Sequence, residues 1–466
     1  MGRRGRWILP GLLLLAGACA APPARSGAAD PRPTPAQLAW QRDQFNAFIH
    51  FGPNTFTDRE WGQGDEPESV FQPTQLDARQ WVRVLKQAGA RGVVITAKHH
   101  DGFCLWPTAF GTHSVKSSPW KQGRGDVLRE LSDACREQGL KFGVYLSPWD
   151  RHNPAYGTGE PYNRIFRQQL SEVLSNYGPV HEVWFDGACG EGPDGRRQIY
   201  DFASFEREAR RLQPDAVIFS DVGPDIRWVG NEEGWAGETN WCTLDAAGHG
   251  RGSDNPPSTQ SLNQGDEGGA AWIPAECDVS IRPGWFHHDA DLDRVKTPQQ
   301  LFDLWERSVG HNANLLLNFP VDRRGLIHER DAEAAAGMRH LIDATYGAGT
   351  DLVRARRDVA SDARTCLVEL TLDPSRTWNR VVLGEAIEQG QRVRRFRISV
   401  PDQQGSGGSV SPAAAWRVIA QGTTIGRTRI VRVPATSAAL LRIEVLDARS
   451  KPSVEAISVH ATPGAR

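Results

Sequence analysis

Short apolar runs and helical repeats alternate along residues 40–346. The segments FNAFIHFG (45–52), RGVVITAKHHDGF (91–103), LKFGVYLSPWD (140–150), HEVWFDGA (181–188), AVIFSD (216–221) and ANLLLNFP (313–320) are rich in β-branched and aromatic residues. Gly, Pro or polar residues close each of them, which predicts strands. Between them, DARQWVRVLKQAG (77–89) places Trp81, Val82, Val84 and Leu85 near helical spacing and stops at Gly89. DVLRELSDACREQG (126–139) repeats Leu128, Leu131 and Cys135 on one face, and residues 163–178, 202–212, 301–312 and 331–347 read as further helices. Strands alternating with helices predict a parallel sheet. Seven or so such units over ~300 residues predict an α/β fold of the (β/α)8-barrel type rather than an open doubly wound sheet. No Gly-rich phosphate loop follows the first strand, which argues against a nucleotide fold.

Near residue 350 the pattern changes. TCLVELTLD, WNRVVLGEAI, RRFRISVP, AAWRVIAQGTTIGRTRIVRV, ALLRIEVLDA and VEAISVHA show strand-like alternation, separated by Pro, Gly and Ser stretches such as QQGSGGSVSP (403–412). They predict an all-β sandwich of ~115 residues. The expected organisation is a barrel over 35–348 followed by a β-sandwich over 349–466. Trp378 and Trp416 in the sandwich suit a core as well as a contact surface, so its expected role is structural.

The N-terminus reads as a leader rather than as part of the fold. Arg3, Arg4 and Arg6 precede an apolar run over 7–15, which is too short to span a bilayer. LAGAC ends it at Cys19, which resembles a bacterial lipoprotein signal with Cys19 as a lipid anchor point. Leu15 stands one position early for that signal, and plain secretory cleavage after the small residues is the alternative. Residues 20–34 then form an expected flexible tether. The expected location is exported: periplasmic, anchored to the outer membrane, or secreted.

Composition narrows the function. A formal net charge of −2 offers nothing to nucleic acid or to an anionic membrane surface. The 16 Trp, against 6 Tyr and 2 Met, favour modestly a surface that stacks on sugars. The cysteines beyond Cys19 form no CxxC or zinc spacing, and their pairing is not deducible.

The candidate chemistry collects at strand ends. His50 follows the first strand; His99, His100 and Asp101 follow the second; Tyr145 closes the third; Asp186 and Asp221 follow the next two. A barrel active site is built from such ends. A second acid is expected in RWVGNEEGWAGETNW (227–241), where Glu232, Glu233 and Glu238 stand among Trp228, Trp235 and Trp241. A carboxyl packed on indole loses solvation and its pKa rises, as a general acid requires. Glu60 beside Trp61, and Trp285 beside Arg282, add acid and aromatic groups. His50, His99 and His100 also suggest a metal. Adjacent His99 and His100 would point to opposite faces of a strand, so the favoured role is donation of hydrogen bonds to a polyol, with no cofactor. Two carboxylates in a Trp-lined barrel mouth on an exported protein suggest glycoside hydrolysis.

FNAFIHFG, EWG, AKHHDGF, VYLSPWD, VWFDGA, GNEEGWAGETNW, IRPGWF and NANLLLNFPVDRRG together resemble the α-L-fucosidases of glycoside hydrolase family 29, over roughly residues 40–346. The pairing of AKHHDGF with VWFDG is the specific part. The resemblance implies a retaining, exo-acting hydrolase of terminal α-L-fucose with no cofactor and a fucosylated glycan as its partner. It implies Asp186 as nucleophile and His50, His99, His100, Tyr145 and Trp285 as fucose-binding positions, with Glu60 and Trp61 lining the same pocket. The GNEEGWAGETNW form is similar to the subfamily that prefers α-1,3/1,4 linkages on Lewis-type glycans, which implies Glu232 as acid/base with Glu233 as its competitor. The rival readings are a carbohydrate-binding lipoprotein without catalysis, a histidine-metal hydrolase, and a fucosidase with a broader linkage preference.

Overall fold

The computed structural model describes residues 30–247, 249–250, 258–402 and 415–464. The expected leader with Cys19, most of the expected tether and the QQGSGGSVSP stretch lie outside the described residues. Among the described residues no helix is long and apolar enough to cross a membrane.

Eight parallel strands close into a barrel. In chain order they are β1 (Phe45–Ile49), β2 (Gly92–Lys98), β3 (Lys141–Leu146), β4 (Glu182–Trp184), β5 (Val217–Ser220) and β6 (Ile226–Trp228). A two-stranded hairpin of β7 (Thr243–Leu244) and β8 (Ala271–Trp272) follows, and then β9 (Ala275–Ser280) and β10 (Asn314–Asn318) complete the ring. Pairing of β10 with β1, Phe45 opposite Leu315, closes it.

The sequence pattern reveals six of the eight strands. The other two, β6 and β9, escape it for a physical reason. The β6 strand has three residues and follows β5 with no helix between them. The β9 strand reads AECDVS, and its alternating acids hide a fully buried segment. The expected helices are present. Asp77 caps Ala78–Ala88 by accepting from the Gln80 N–H, and Asp126 caps Val127–Gln138 by accepting from the Arg129 N–H. Gly89 and Gly139 end these helices in the left-handed conformation that glycine adopts at no steric cost.

Two apolar layers result from the strand alternation. Outward residues such as Val93, Ile95 and Val144 pack with Trp81, Leu128, Phe166 and Phe205 of the helices. Inward residues Phe48, Val94, Tyr145, Trp184, Phe219 and Leu316 fill the barrel. Trp184 and Phe219 stack with centroids 3.8 Å apart. Helix Pro35–Asp43 brings Trp40 to the N-terminal end of the barrel, where its indole N–H donates to Glu182 at 3.1 Å.

Beyond the barrel, a five-stranded and a three-stranded antiparallel sheet share a core of Leu370, Trp378, Leu383, Phe396, Val431 and Ile443. Trp378 is fully buried, whereas Trp416 lies beneath the Arg442 guanidinium at 3.8 Å. One edge strand, Val353–Ser361, is exposed along most of its length, so its apolar pattern is too weak to predict. The β domain meets the barrel helix Pro298–Ser308 through Glu306, which is buried and paired with Arg380 at 2.7 Å and Arg432 at 2.7 Å.

The loop after β9 is pinned by Arg282. Its guanidinium donates from Nε and Nη2 to Asp331 of helix Glu329–Tyr346, and both side chains are fully buried. Breaking a buried pair leaves an uncompensated charge. Arg282→Ala should therefore lower the unfolding free energy by about 3–5 kcal/mol, read as a fall in the urea midpoint. A midpoint shift within error would show that the pair contributes nothing.

Candidate active site

A cavity of about 570 Å³ opens at the C-terminal end of the barrel. It is lined by His50, Glu60, Trp61, His99, His100, Tyr145, Asp186, Glu232 and Trp285, together with Phe48, Trp184, Asp278 and His288. Nine of the ten side chains that the family resemblance implies for the site thus share one cavity. Glu233 does not: its exposed carboxylate accepts from the Trp235 indole at 2.7 Å. Glu238 is exposed and faces Arg429. Asp101 and Asp221 also stand outside the lining. Asp101 is buried and caps its own turn by accepting from the Phe103 N–H at 2.7 Å.

Asp186 stands just beyond β4. Tyr145 Oη donates to Oδ2 at 2.9 Å, and the Ala188 N–H donates to Oδ1 at 2.7 Å. Burial and the Asp186 charge raise the Tyr145 pKa far above the phenol range, so the hydroxyl keeps its proton as a donor. His100 Nε2 lies 3.9 Å from Asp186 Oδ2. Gly187 allows the turn to pass tightly, because a methyl group there would overlap the Asp221 carboxylate.

His99 and His100 correct the strand-based expectation. They lie past the end of β2 at Lys98, in a turn, so both rings face the cavity with centroids 4.1 Å apart. Lys98, the last strand residue, turns outward to Asp150, Tyr162 and Gln169.

The hydrogen-bond network fixes what the histidines offer. Ser147 Oγ gives its proton to the Trp149 carbonyl, so it accepts from His100 Nδ1 at 2.8 Å and leaves Nε2 as an acceptor. Asn318 Nδ2 donates to Ser280 Oγ and to the Trp285 carbonyl, which turns its Oδ1 toward His50 Nδ1 at 2.9 Å. His50 Nε2 is therefore an acceptor too. Burial pushes the His50 pKa down to about 3, and it lowers those of His99 and His100 as well, so the three rings are neutral. Two of the expected hydrogen-bond donors are thus acceptors for substrate hydroxyls.

Glu232 sits against an indole, but that of Trp285 rather than of its sequence neighbours: Trp285 Nε1 donates to Oε2 at 3.3 Å. Glu232 is solvent-exposed like Glu233, yet partial desolvation inside the cavity raises its pKa above the ordinary range, and the Asp186 charge adds to it against the lowering effect of the Trp285 N–H. Asp278 of β9 accepts from Trp228 Nε1 at 2.9 Å. Burial first, and then the Glu232 charge, push Asp278 well above the carboxylate range. An acid every second residue in AECDVS is the signal that identifies Asp278 as a barrel-facing group.

Glu60 lines the cavity, yet its oxygens are already engaged. They accept from the N–H groups of Trp285 and Phe286 and from His288 Nε2 at 3.0 Å. His288 Nδ1 meets Asp58 at 2.8 Å. Against burial, these two carboxylates hold the His288 imidazole above its ordinary range. Glu60 therefore latches the loop that carries Trp285. Trp61 is about half exposed, at 52 %, and its ring meets those of His100 and Trp149 edge-on.

Residues 28–344 match the family model described as "Alpha-L-fucosidase". The chain is 40 % identical over 457 residues to "Alpha-L-fucosidase 1" of Arabidopsis thaliana, covering 92 % of this chain and 87 % of that one. A crystal structure of a glycoside hydrolase 29 family member from an unknown rumen bacterium is 41 % identical with a TM-score of 0.85, covering 93 % of this chain and 78 % of that one. A Ruminococcus gnavus GH29 fucosidase in complex with fucose is 29 % identical with a TM-score of 0.80, covering 94 % and 97 %. These similarities run through the barrel and its cavity, and the chain belongs to the α-L-fucosidases of glycoside hydrolase family 29, enzymes that release fucose.

Proposed function

We propose that this α-L-fucosidase is a retaining, exo-acting enzyme in which Asp186 is the nucleophile and Glu232 the acid/base. The observation that carries the reading is one cavity holding both carboxyls, with the Glu232 pKa raised by burial and by the Asp186 charge. In the first step an Asp186 oxygen attacks the anomeric carbon of fucose while the glycosidic C–O bond breaks, and Glu232 gives its proton to the departing oxygen. In the second, Glu232 takes a proton from water, whose oxygen attacks the same carbon and releases Asp186 from the ester. Tyr145 and the Ala188 N–H hold the attacking carboxyl in place.

The cavity chemistry suits a deoxy sugar. His50 and His100 accept from sugar hydroxyls, and Phe48 and Trp184 offer an apolar wall to the C6 methyl. A site built on such hydrogen bonds rejects sugars that lack the matching hydroxyl. Half-exposed Trp61 at the rim offers a face to the next sugar. The GNEEGWAGETNW segment supports a preference for α-1,3/1,4-linked fucose on Lewis-type glycans. Its Glu233 faces Trp235, which favours Glu232 as the acid. The basic, apolar and LAGAC segments at the N-terminus support export, with a lipid at Cys19.

Hydrolysis of an aryl α-L-fucoside and of a Lewis-type trisaccharide, followed by NMR, should release fucose with α configuration from both. Inversion would remove the double-displacement reading; cleavage of the aryl substrate alone would remove the linkage preference. Asp186→Asn should remain folded by circular dichroism and lose turnover on both substrates, and substantial residual turnover would disqualify Asp186. Glu232→Ala should lose far more activity on the trisaccharide than on an aryl fucoside, whose leaving group needs no proton. In the parent enzyme, trisaccharide hydrolysis should fall as pH rises through the elevated Glu232 pKa, because the acid must carry its proton. The variant should lack that alkaline limb. Gly187→Ala should lower kcat/KM by about 100-fold, since displacing a reacting group by ~1 Å costs that much. An unchanged kcat/KM would show that the turn tolerates the methyl.

A further inference from the structure

Inside the fucose cavity, acceptors outnumber free donors among the described residues. His50 and His100 present lone pairs on Nε2, and the Asp186 carboxylate accepts. The indole N–H groups of Trp184, Trp228 and Trp285 already point at Glu276, Asp278 and Glu232, and the Tyr145 hydroxyl points at Asp186. Both nitrogens of His288 face carboxylates, those of Asp58 and Glu60. A sugar hydroxyl gives one proton and accepts through two lone pairs. A fucose hydroxyl that donates to His50 or His100 therefore still calls for a donor to its own oxygen. Leaving such an acceptor unmatched in a water-poor site costs free energy.

Asp278 is placed to supply that donor. The β9 strand is buried along its whole length, and pairing with β10 sets Asp278 level with Leu316, whose side chain fills the barrel. Alternation along β9 turns Glu276, Asp278 and Ser280 to the same interior face. Of these three, Asp278 lines the fucose cavity. It is 4 % exposed. The Trp228 indole of β6 donates to Oδ1 at 2.9 Å and so orients the carboxyl. The charged groups that act on Asp278 are the carboxyls of Glu232 and Asp186, with no cation beside them. A buried carboxyl next to like charges keeps its proton, and burial and these neighbours push Asp278 well above the carboxylate range. Because Oδ1 accepts from the indole, the proton belongs on Oδ2.

We propose that Asp278 is a substrate-binding residue that acts as a neutral carboxylic acid, giving its O–H to one hydroxyl of the bound fucose. It supplies the donor that His50 and His100, as acceptors, do not. Glu232 remains the group that exchanges a proton with the leaving oxygen and with water, while Asp278 holds its own proton throughout. A sugar that lacks the matching hydroxyl leaves the Asp278 O–H unpaired, so the residue acts on specificity. The inference rests on fucose occupying the cavity beside Asp186.

The test compares the parent chain with Asp278→Asn and Asp278→Ala, each checked for folding by circular dichroism. The substrates are an aryl α-L-fucoside and its analogues that lack one ring hydroxyl each. Asp278→Ala should lower kcat/KM for the full fucoside by about 10- to 100-fold, the loss expected of one hydrogen bond in a buried site. Asp278→Asn should lose far less, because the amide keeps the shape, accepts from Trp228 and still donates. With one of the deoxy analogues, Asp278→Ala should cost little beyond what the parent has already lost, since the partner of the missing hydroxyl is gone. A merely structural role would lower the rate by the same factor on every analogue. The infrared spectrum of the parent minus that of Asp278→Asn should contain the carbonyl band of a protonated carboxyl. Equal losses in the two variants, no coupling to any hydroxyl, or absence of that band would overturn the proposal. Full activity in Asp186→Asn would instead remove fucose from beside Asp186. An inactive Asp186→Asn alongside a fully active Asp278→Ala would remove the Asp278 donor alone.

Discussion

Closure of the parallel ring is the constraint on which the other features rest. Each strand delivers the residue beyond its C-terminal end to the same rim, so positions distant in sequence become neighbours. His50 and Asn318 are 268 residues apart and share a 2.9 Å contact because β1 and β10 pair. Tyr145 and Asp186 meet because β3 and β4 pair side by side, with Tyr145 level with Trp184. Without closure the carboxyl, its donors and the histidine acceptors would not face one space.

Closure also sets the electrostatics. The rim is lined by aromatic rings and polar groups, and burial is the leading cause of the shifts at His50, His99, His100, Tyr145, Glu232 and Asp278. It keeps His50, His99 and His100 neutral and Tyr145 protonated, and it raises Glu232 and Asp278. A neutral polyol substrate matches this environment, because it calls for donors and acceptors rather than for a compensating charge. Deeper in the barrel Glu276 is pushed up by burial and by Glu182, and the Trp184 indole donates to it at 3.1 Å. The acids thus extend below the cavity floor, each tied to an indole N–H.

Loops give the cavity its walls, and side-chain latches hold those loops. Glu60 fastens the Trp285 loop, Arg282 ties the same loop to Asp331, and His152 and Arg151 fasten the loop that carries Trp61. The excursion from β6 to β9 supplies Glu232 and is braced against the β domain, where Asn240 donates its backbone N–H to Thr424 at 2.8 Å. The β domain therefore contacts the segment that carries a catalytic candidate, through polar groups and through a small apolar cluster of Cys242, Trp272 and Ile387.

The sequence by itself determined the barrel class, the β domain after it and most of the cavity. Apolar periodicity is local, and a barrel converts strand ends into a site by a fixed rule. His50, Tyr145 and Asp186 were legible for that reason, and the motif set AKHHDGF with VWFDG identified the family. The tertiary structure decided what depends on contacts between distant segments. It turned Glu232 toward Trp285 and Glu233 toward Trp235, a choice that two adjacent, chemically equal acids cannot carry in their own sequence. It made acceptors of His50 and His100, because Asn318 and Ser147 consume the Nδ1 protons. It revealed Asp278 on a strand whose acids mask its burial, and it set the Trp228 indole against that carboxyl. Spacing along the chain holds no record of such meetings, because loop paths are fixed by packing and hydrogen bonding and not by periodicity.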